Sequence, residues 1–449
     1  MSVSIKARLI RDAFALVFAI AAATCALGQP KRPVIIIPGL TGSELVNSKT
    51  GEKVWFKLRR SKGDDLRLPV SANILANRDS LVAGDIIREV GSGLLPRTDV
   101  YGGLIDSLVA RGYLETRWDA PPTKEYEKAL YVFPYDWRRD NVENSRLLIR
   151  RIEGLKKRLK RPDLKFDVIA HSMGGLIARY AAMYGNADLS SNGKPAPTWS
   201  GARHMANLVI IGTPNEGSPL SLKNLINGFR LFGIDINLPF VQNLSSFDVF
   251  TIPAAYELLP AQGSIRAFDQ DLKPLDIDVY DVATWKKYGW DPIDDKDFAK
   301  EFTPAERRAA PKFFAMMLDR ARRFQTALAV RQTASAVSIN VIGSDCTETL
   351  DAMVLYQKKD GKWETIFKAD SFENAAGRKV TSEELKALIY GPGDGVVTWR
   401  SLEAATVAKA AGSDPIFSPT AVSCVCENHD KLPANVEVQA KLFAILSAN

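Results

Sequence analysis

Four short apolar runs, separated by segments of helical spacing, constrain this chain more than any other feature. "RPVIIIPG" (Arg32–Gly39), "FDVIA" (Phe166–Ala170), "NLVIIGTP" (Asn207–Pro214) and "VSINVIGS" (Val337–Ser344) are near-continuous in hydrophobicity rather than alternating. A strand without a polar face is buried on both sides. "ALYVFPYDW" (Ala129–Trp137) reads as a further strand. "VYGGLIDSLVARGY" (Val100–Tyr113), "NVENSRLLIRRIEGLKKRLKR" (Asn141–Arg161) and "GGLIARYAAMYG" (Gly174–Gly185) read as helices, the second with Asn141 available as its cap. Strand and helix in alternation predict an α/β fold: a mostly parallel central sheet with helices on both faces.

The alternation breaks twice. Residues 44–99 mix glycines and charges and read as an irregular excursion. Trp55, Phe56, Leu94 and Leu95 within it are apolar residues beside charges, expected to make a peripheral contact with a membrane surface. Residues 218–335 carry helices and aromatic-rich loops with few strand signals. That stretch is too long to be a loop and is expected to be a cap inserted into the sheet. After it, "AMVLYQKKDGKWETIFKA" (Ala352–Ala369) reads as a hairpin about Asp360-Gly361, and "NVEVQAKLFAILSAN" as the last helix.

Residues 1–28 stand apart. Lys6, Arg8 and Arg11 precede the apolar "AFALVFAIAAATCALG", and polar "QPKRP" follows. This is the pattern of a secretory signal peptide, so residues 29–449 are expected to form the mature domain, periplasmic or secreted. No later segment is apolar for the roughly 18 residues that a membrane span needs. Loss of three basic residues and Asp12 takes the net charge from +7 to +5. That balance suits an anionic lipid surface and is too weak to argue for nucleic acid. The basic run Arg150–Arg161 has helical spacing and reads as a solvated face. Three cysteines remain, and an oxidising compartment predicts one disulfide, Cys346 with Cys424 or Cys426, and one leftover thiol.

"AHSMGG" places Ser172 between a strand and a helix, among small residues. A sharp strand–turn–helix elbow needs such residues, because the backbones nearly touch, and it aims the serine hydroxyl away from the sheet. Ala170 stands in the position of the first elbow glycine, and Gly174 and Gly175 fill the other side. A serine hydroxyl needs a base to become a nucleophile. The chain has three histidines. His171 is adjacent to Ser172 and points elsewhere, so it reads as packed or supporting. His204 precedes a strand and reads as a surface residue. His429, in "CENHDK", follows the serine late in the chain, as the order serine, acid, histidine requires. Two acids qualify: Asp394 in the glycine-rich "GPGDGVVTW", which is favoured, and Asp345, which directly follows a strand. An oxyanion needs two backbone donors. Met173, just after the serine, is one; Leu40 or Thr41, in the loop "IIPGLTGSEL", is the other. Together these features predict an α/β-hydrolase fold with an acyl-serine mechanism, which needs neither metal nor organic cofactor.

"PVIIIPGLTGSEL", "VFPYDWR", "AHSMGG", "IGTPNEGS", "AAYELLP" and "GDGVVTWRSL" occur in an order that resembles the lecithin:cholesterol acyltransferase family, which includes lysosomal phospholipase A2 and phospholipid:diacylglycerol acyltransferases. The resemblance runs from Pro33 to His429. It implies Ser172 as nucleophile, Asp394 as acid, His429 as base, and a phospholipid or other lipid ester as substrate. It implies structural or pocket-wall roles for Asp136, Trp137 and Arg138. The sequence departs from the family in its Pro-Gly loop and in the missing early cysteine pair. An acyl tunnel is expected from Phe240, Phe247, Phe250, Leu258 and Leu259. An esterase or amidase for soluble substrates and a non-catalytic binding protein are the other readings of the same fold.

Overall fold

The protein is described by a computed structural model covering residues 32–57, 65–91, 98–191, 194–230, 243–330, 336–404 and 419–448. The expected signal peptide and Leu94, Leu95 and Phe240 lie outside the described residues.

Seven strands build the central sheet. In chain order they are β1 (Val34–Ile37), β2 (Leu114–Glu115), β3 (Ala129–Val132), β4 (Phe166–His171), β5 (Met205–Ile211), β6 (Ser338–Gly343) and β7 (Ala421–Cys424). Their spatial order is β7-β6-β5-β4-β1-β3-β2, and every neighbouring pair is parallel. Successive side chains of a strand point to opposite faces. Accordingly Ile35, Ile37, Val168 and Ala170 join one core with Leu148 and Ile152 of the helix Asn141–Leu159 and Leu176 of the helix Met173–Tyr184. Val34, Ile36, Ile169 and Val209 join a second core with Leu104 and Leu108 of the helix Gly102–Ala110 and Leu442 of the helix Val436–Ser447. Both faces are dry, which is why "VIII" tolerates no polar residue. Each such side chain contributes roughly 1.5–3 kcal/mol through burial.

The helix Asn141–Leu159 begins one residue after its cap, which is Asp140 rather than Asn141. The Asp140 carboxylate accepts the Glu143 amide at 2.8 Å. A charged acceptor at the positive end of the helix dipole outcompetes a neutral asparagine.

The excursion 44–99 is more regular than its composition suggests. Strands Ser43–Asn47, Lys53–Trp55 and Leu81–Ile86 form an antiparallel sheet with Ser43–Asn47 at its centre. These strands are short and unevenly buried, so their alternation is weak. Trp55 is 1% exposed. Its indole donates to the Thr41 carbonyl at 2.9 Å, and its ring meets the edge of Trp137. The expected membrane contact at Trp55 is therefore corrected: the residue is part of the core. Phe56 beside it is half-buried.

Between β5 and β6 the chain forms the helices Pro219–Asn227, Ser246–Phe250, Pro253–Glu257 and Val282–Tyr288 and the long helix Pro304–Leu328. Phe250 is enclosed by the rings of Phe298, Phe302, Phe313 and Phe314. Phe247 packs on Phe298 and Phe302, and Leu258 and Leu259 are buried. The expectation of a tunnel wall is therefore corrected for Phe250, Leu258 and Leu259, which belong to a packed core.

Candidate active site

Every candidate group sits beyond the carboxyl end of a sheet strand or on a loop packed there. Ser172 follows β4 directly. Its backbone has φ 54° and ψ −128°, a strained conformation for a residue with a side chain. The strain is held by its neighbours: the Ser172 amide donates to the Ile211 carbonyl at 2.8 Å, and the Thr213 hydroxyl donates to the Ser172 carbonyl at 3.0 Å. Ser172 is thus fixed by the end of β5.

His429 lies five residues past β7, at the start of the two-turn 3₁₀ segment His429–Ala434. Its Nε2 is 2.9 Å from Ser172 Oγ, and its Nδ1 is 2.7 Å from Asp394 Oδ2. A carboxylate accepts, so Nδ1 carries the hydrogen and Nε2 offers its lone pair to the serine hydroxyl. The backbone repeats the link, as the His429 amide donates to the Asp394 carbonyl at 2.9 Å. Burial pushes the imidazolium down, but the Asp394 charge and hydrogen bond outweigh it, and the His429 pKa is raised above 6.5. Asp394 follows the strand Tyr390–Gly393, which pairs with Thr347–Leu350 beyond β6. Its Oδ1 accepts the Val396 and Val397 amides at 3.0 and 2.7 Å, which leaves Oδ2 aimed at the histidine.

Asp345, the other candidate acid, is turned to the cysteines: its Oδ1 is 3.1 Å from Cys424 Sγ and 3.5 Å from Cys346 Sγ. The disulfide joins Cys346 to Cys426, and Cys424 is the free, exposed thiol.

The Gly39–Gly42 turn lies against the serine. Gly42 N–H donates to Gly39 O, and Thr41 takes φ 62°, unusual for a β-branched residue. Four contacts hold the turn. Gly39 N–H donates to Tyr101 Oη at 2.8 Å, Tyr135 Oη to Pro38 O, Trp55 Nε1 to Thr41 O, and Ile87 N–H to Gly42 O. Among the described residues the amides of Leu40 and Thr41 meet no acceptor, and Met173 N–H opens a helix, where the first amides lack intrahelical partners. The chain comes so close here that a Cβ on Gly39 would stand 2.8 Å from Ser172 Cβ. An open cleft of about 490 Å³ lies over the small antiparallel sheet, with Glu44, Lys53, Phe56, Ile87, Arg88 and Val90 among its lining, which includes neither the Gly39–Gly42 turn nor Ser172, Asp394 or His429.

His171 is buried and supports the site, as its packed position implied: Nδ1 is 2.8 Å from Tyr101 Oη and Nε2 is 3.1 Å from the His429 carbonyl. His204 corrects the expectation of a surface residue. It is 3% exposed, with Nδ1 3.1 Å from Lys156 Nζ, because the last turns of the helix Asn141–Leu159 cover it. Burial, then the Lys156 and Arg203 charges, push its pKa down to about 4. Asp136, Trp137 and Arg138 are structural. Arg138 is fully buried and forks onto Asp136 and Asp79, while Trp137 Nε1 donates to Ser43 O. Tyr101, which reaches both Gly39 and His171, was not singled out by sequence. It lies in a helix-entry segment with no motif of its own.

Fold and site define an α/β-hydrolase with a serine, a histidine and a carboxylate in line. Residues 96–302 match the lecithin:cholesterol acyltransferase family. The chain thus carries a segment similar to that family on an α/β-hydrolase fold. Ser172 lies inside the matched segment, while Asp394 and His429 lie beyond it. A chain of the Tle4–Tli4 complex shares the fold, with TM-score 0.53 and 14% identity over 93% of this chain and 98% of that one. The lipase BlEst2 of Bacillus licheniformis aligns at TM-score 0.32 and 11% identity over 93% of this chain and 92% of its own. Phospholipase PlaB of Legionella pneumophila aligns at TM-score 0.25 and 13% identity over 70% of this chain and 39% of its own. No curated protein matches the chain in sequence.

Proposed function

We propose that the protein is a serine-dependent lipid acyl hydrolase or acyltransferase that works through an acyl-serine intermediate. The observation that carries this reading is the hydrogen-bonded line from Ser172 through His429 to Asp394 at a strained elbow. His429 Nε2 takes the Ser172 proton as Oγ attacks the ester carbonyl. Asp394 holds the ring in the required tautomer and stabilises the imidazolium. The amide of Met173, with that of Leu40 or Thr41, stabilises the oxyanion. His429 then returns the proton to the leaving alcohol. Water or a lipid alcohol, deprotonated by the same imidazole, takes the acyl group and frees the serine.

A phospholipid or related lipid ester is the substrate in this reading, supported by the family match over residues 96–302. Peripheral contact with the lipid surface brings the ester to Ser172, and half-buried Phe56, which lines the open cleft over the small sheet, suits that contact. Export, to the periplasm or beyond, belongs to the proposal. The Cys346–Cys426 disulfide supports it, since such bonds persist in oxidising compartments.

The test is product analysis after incubation with phospholipid vesicles that contain a sterol or diacylglycerol, with Ser172→Ala alongside. Free fatty acid or acylated alcohol that appears with the intact serine alone supports the reading, and the ratio of the two separates hydrolase from transferase. Cleavage of short soluble esters with no lipid product would give the site to a soluble-substrate esterase.

A further inference from the structure

Tyr101 and His171 form a hydrogen-bond chain whose direction is fixed at every link. His171 Nε2 faces the His429 carbonyl oxygen at 3.1 Å, and a carbonyl can only accept, so Nε2 carries a hydrogen. Burial, then the nearby His429, hold the His171 imidazole well below its usual range, so the ring is neutral and Nδ1 is a lone pair. Nδ1 lies 2.8 Å from Tyr101 Oη, which must therefore donate its hydrogen there. The phenol oxygen is then open as an acceptor, and Gly39 N–H donates to it at 2.8 Å. The chain runs Gly39 N–H to Tyr101, Tyr101 to His171, and His171 to the His429 carbonyl.

Its two ends are the two parts of the site that must be in register. Gly39 opens the turn that presents the Leu40 and Thr41 amides, and an oxyanion donor works at about 2.7–3.1 Å from the developing charge. His429 carries the base. Its main chain is held at both groups, the amide by the Asp394 carbonyl and the carbonyl by His171. Neither partner of the chain touches the Ser172 hydroxyl in the hydrogen bonds that define the triad.

With Ser172, His429 and Asp394 read as the triad, on which this rests, we propose that Tyr101 and His171 are positioning residues that lock the oxyanion turn to the base. The lock is the hydrogen bonding and not the bulk of the rings. Tyr101 packs with Leu104, Ile105 and Leu108 through its ring, and a phenylalanine keeps those contacts.

The test compares Tyr101→Phe, His171→Gln, His171→Leu and the Tyr101→Phe/His171→Gln double variant on p-nitrophenyl octanoate. Active sites are counted by titration of Ser172 with a p-nitrophenyl phosphonate. The expected kcat per titrated site falls about 10- to 100-fold in Tyr101→Phe and His171→Gln, as small misplacements of reacting groups do, with KM changed by less than about two-fold. Both changes break one chain, so the double variant loses no more than the worse single. His171→Gln, which retains a donor towards the His429 carbonyl, keeps more activity than His171→Leu. Unchanged kcat in Tyr101→Phe, or losses that multiply in the double variant, would overturn the positioning role. Parent protein that neither turns over the ester nor labels at Ser172 would overturn the triad reading instead, so the two failures are distinct.

Discussion

Cys346 and Cys426 are bonded across 80 residues, and the bond joins the Asp394 side of the site to the His429 side. Cys346 immediately precedes the strand Thr347–Leu350, whose partner Tyr390–Gly393 leads into Asp394, and Cys426 lies three residues before His429. In the chain-entropy account a cross-link that closes 80 residues stabilises by about 4.5 kcal/mol. Cys346→Ser with Cys426→Ser is expected to lower the unfolding free energy by up to that amount, read as a lower guanidinium midpoint, and to reduce turnover as well, because the His429–Asp394 contact loosens. Cys424→Ser serves as the control and should leave both unchanged. Equal midpoints for the double serine variant and the parent would refute the account.

Gly212 is a second tie, between the sheet and the Asp394–His429 pair. It has φ 56°, and a Cβ there would stand 3.2 Å from both Asp394 Oδ2 and His429 Nδ1 and 3.0 Å from Leu432 Cδ1. Gly212→Ala is expected to lower kcat by about 100-fold, since it wedges the acid from the base. Gly263→Ala separates this from backbone strain alone. Gly263 also has positive φ (84°), but nothing lies within 4 Å of its added Cβ. That variant should lose about 1 kcal/mol of stability and keep its rate. A Gly212→Ala variant as active as Gly263→Ala would refute the wedge, and an equal loss in both would assign the loss to backbone strain.

Asp394 and His429 also fix the pH response. The raised His429 pKa means that the folded protein holds this proton to higher pH than the unfolded chain. The group therefore adds stability below pH 6.5, and that contribution is lost as pH rises through the folded value. In the proposed mechanism activity runs the other way, since His429 must be neutral to take the Ser172 proton. The acid limb of kcat/KM is expected to have its midpoint above 6.5. Asp394→Asn should move that midpoint down and cost about 10⁴-fold in kcat, through loss of the correct tautomer. A limb that stays in place in Asp394→Asn would mean that another group titrates.

The parallel sheet and the serine elbow were legible in sequence because both depend on local rules. "VIII" and "LVII" declare strands buried on two faces, and "HSMGG" has few other uses after a strand. Asp394 was preferred over Asp345 on its glycine-rich surroundings. What the residues alone could not give is why Asp345 turns away: that depends on Cys424 lying opposite Gly343 across β6 and β7. The same limit applies to His204, whose cover comes from a helix some fifty residues earlier. Trp55 reads as membrane-contact surface and Phe250 as tunnel wall, because hydrophobicity does not say whether the neighbour is lipid or another ring. The small sheet around Ser43–Asn47 escaped notice, as its pairing partners are short and unevenly buried.

Arg138 explains how that small sheet is attached. The fully buried guanidinium takes Asp136 from its own loop and Asp79 from the excursion, and its Nη1 also donates to Leu66 O at 3.2 Å. Asp136 is itself 7% exposed. Removing the arginine would strand that carboxylate away from water, and breaking a buried pair from one side costs about 3–5 kcal/mol. Arg138→Met is therefore expected to lower the unfolding midpoint sharply. Arg138→Met with Asp136→Asn and Asp79→Asn removes all three charges together and should recover part of the loss. The excursion also carries Trp55, which holds Thr41, so Arg138→Met should expose the chain near residues 65–86 to proteolysis and lower turnover in parallel. Full stability in Arg138→Met would show that the excursion is held by its apolar contacts alone.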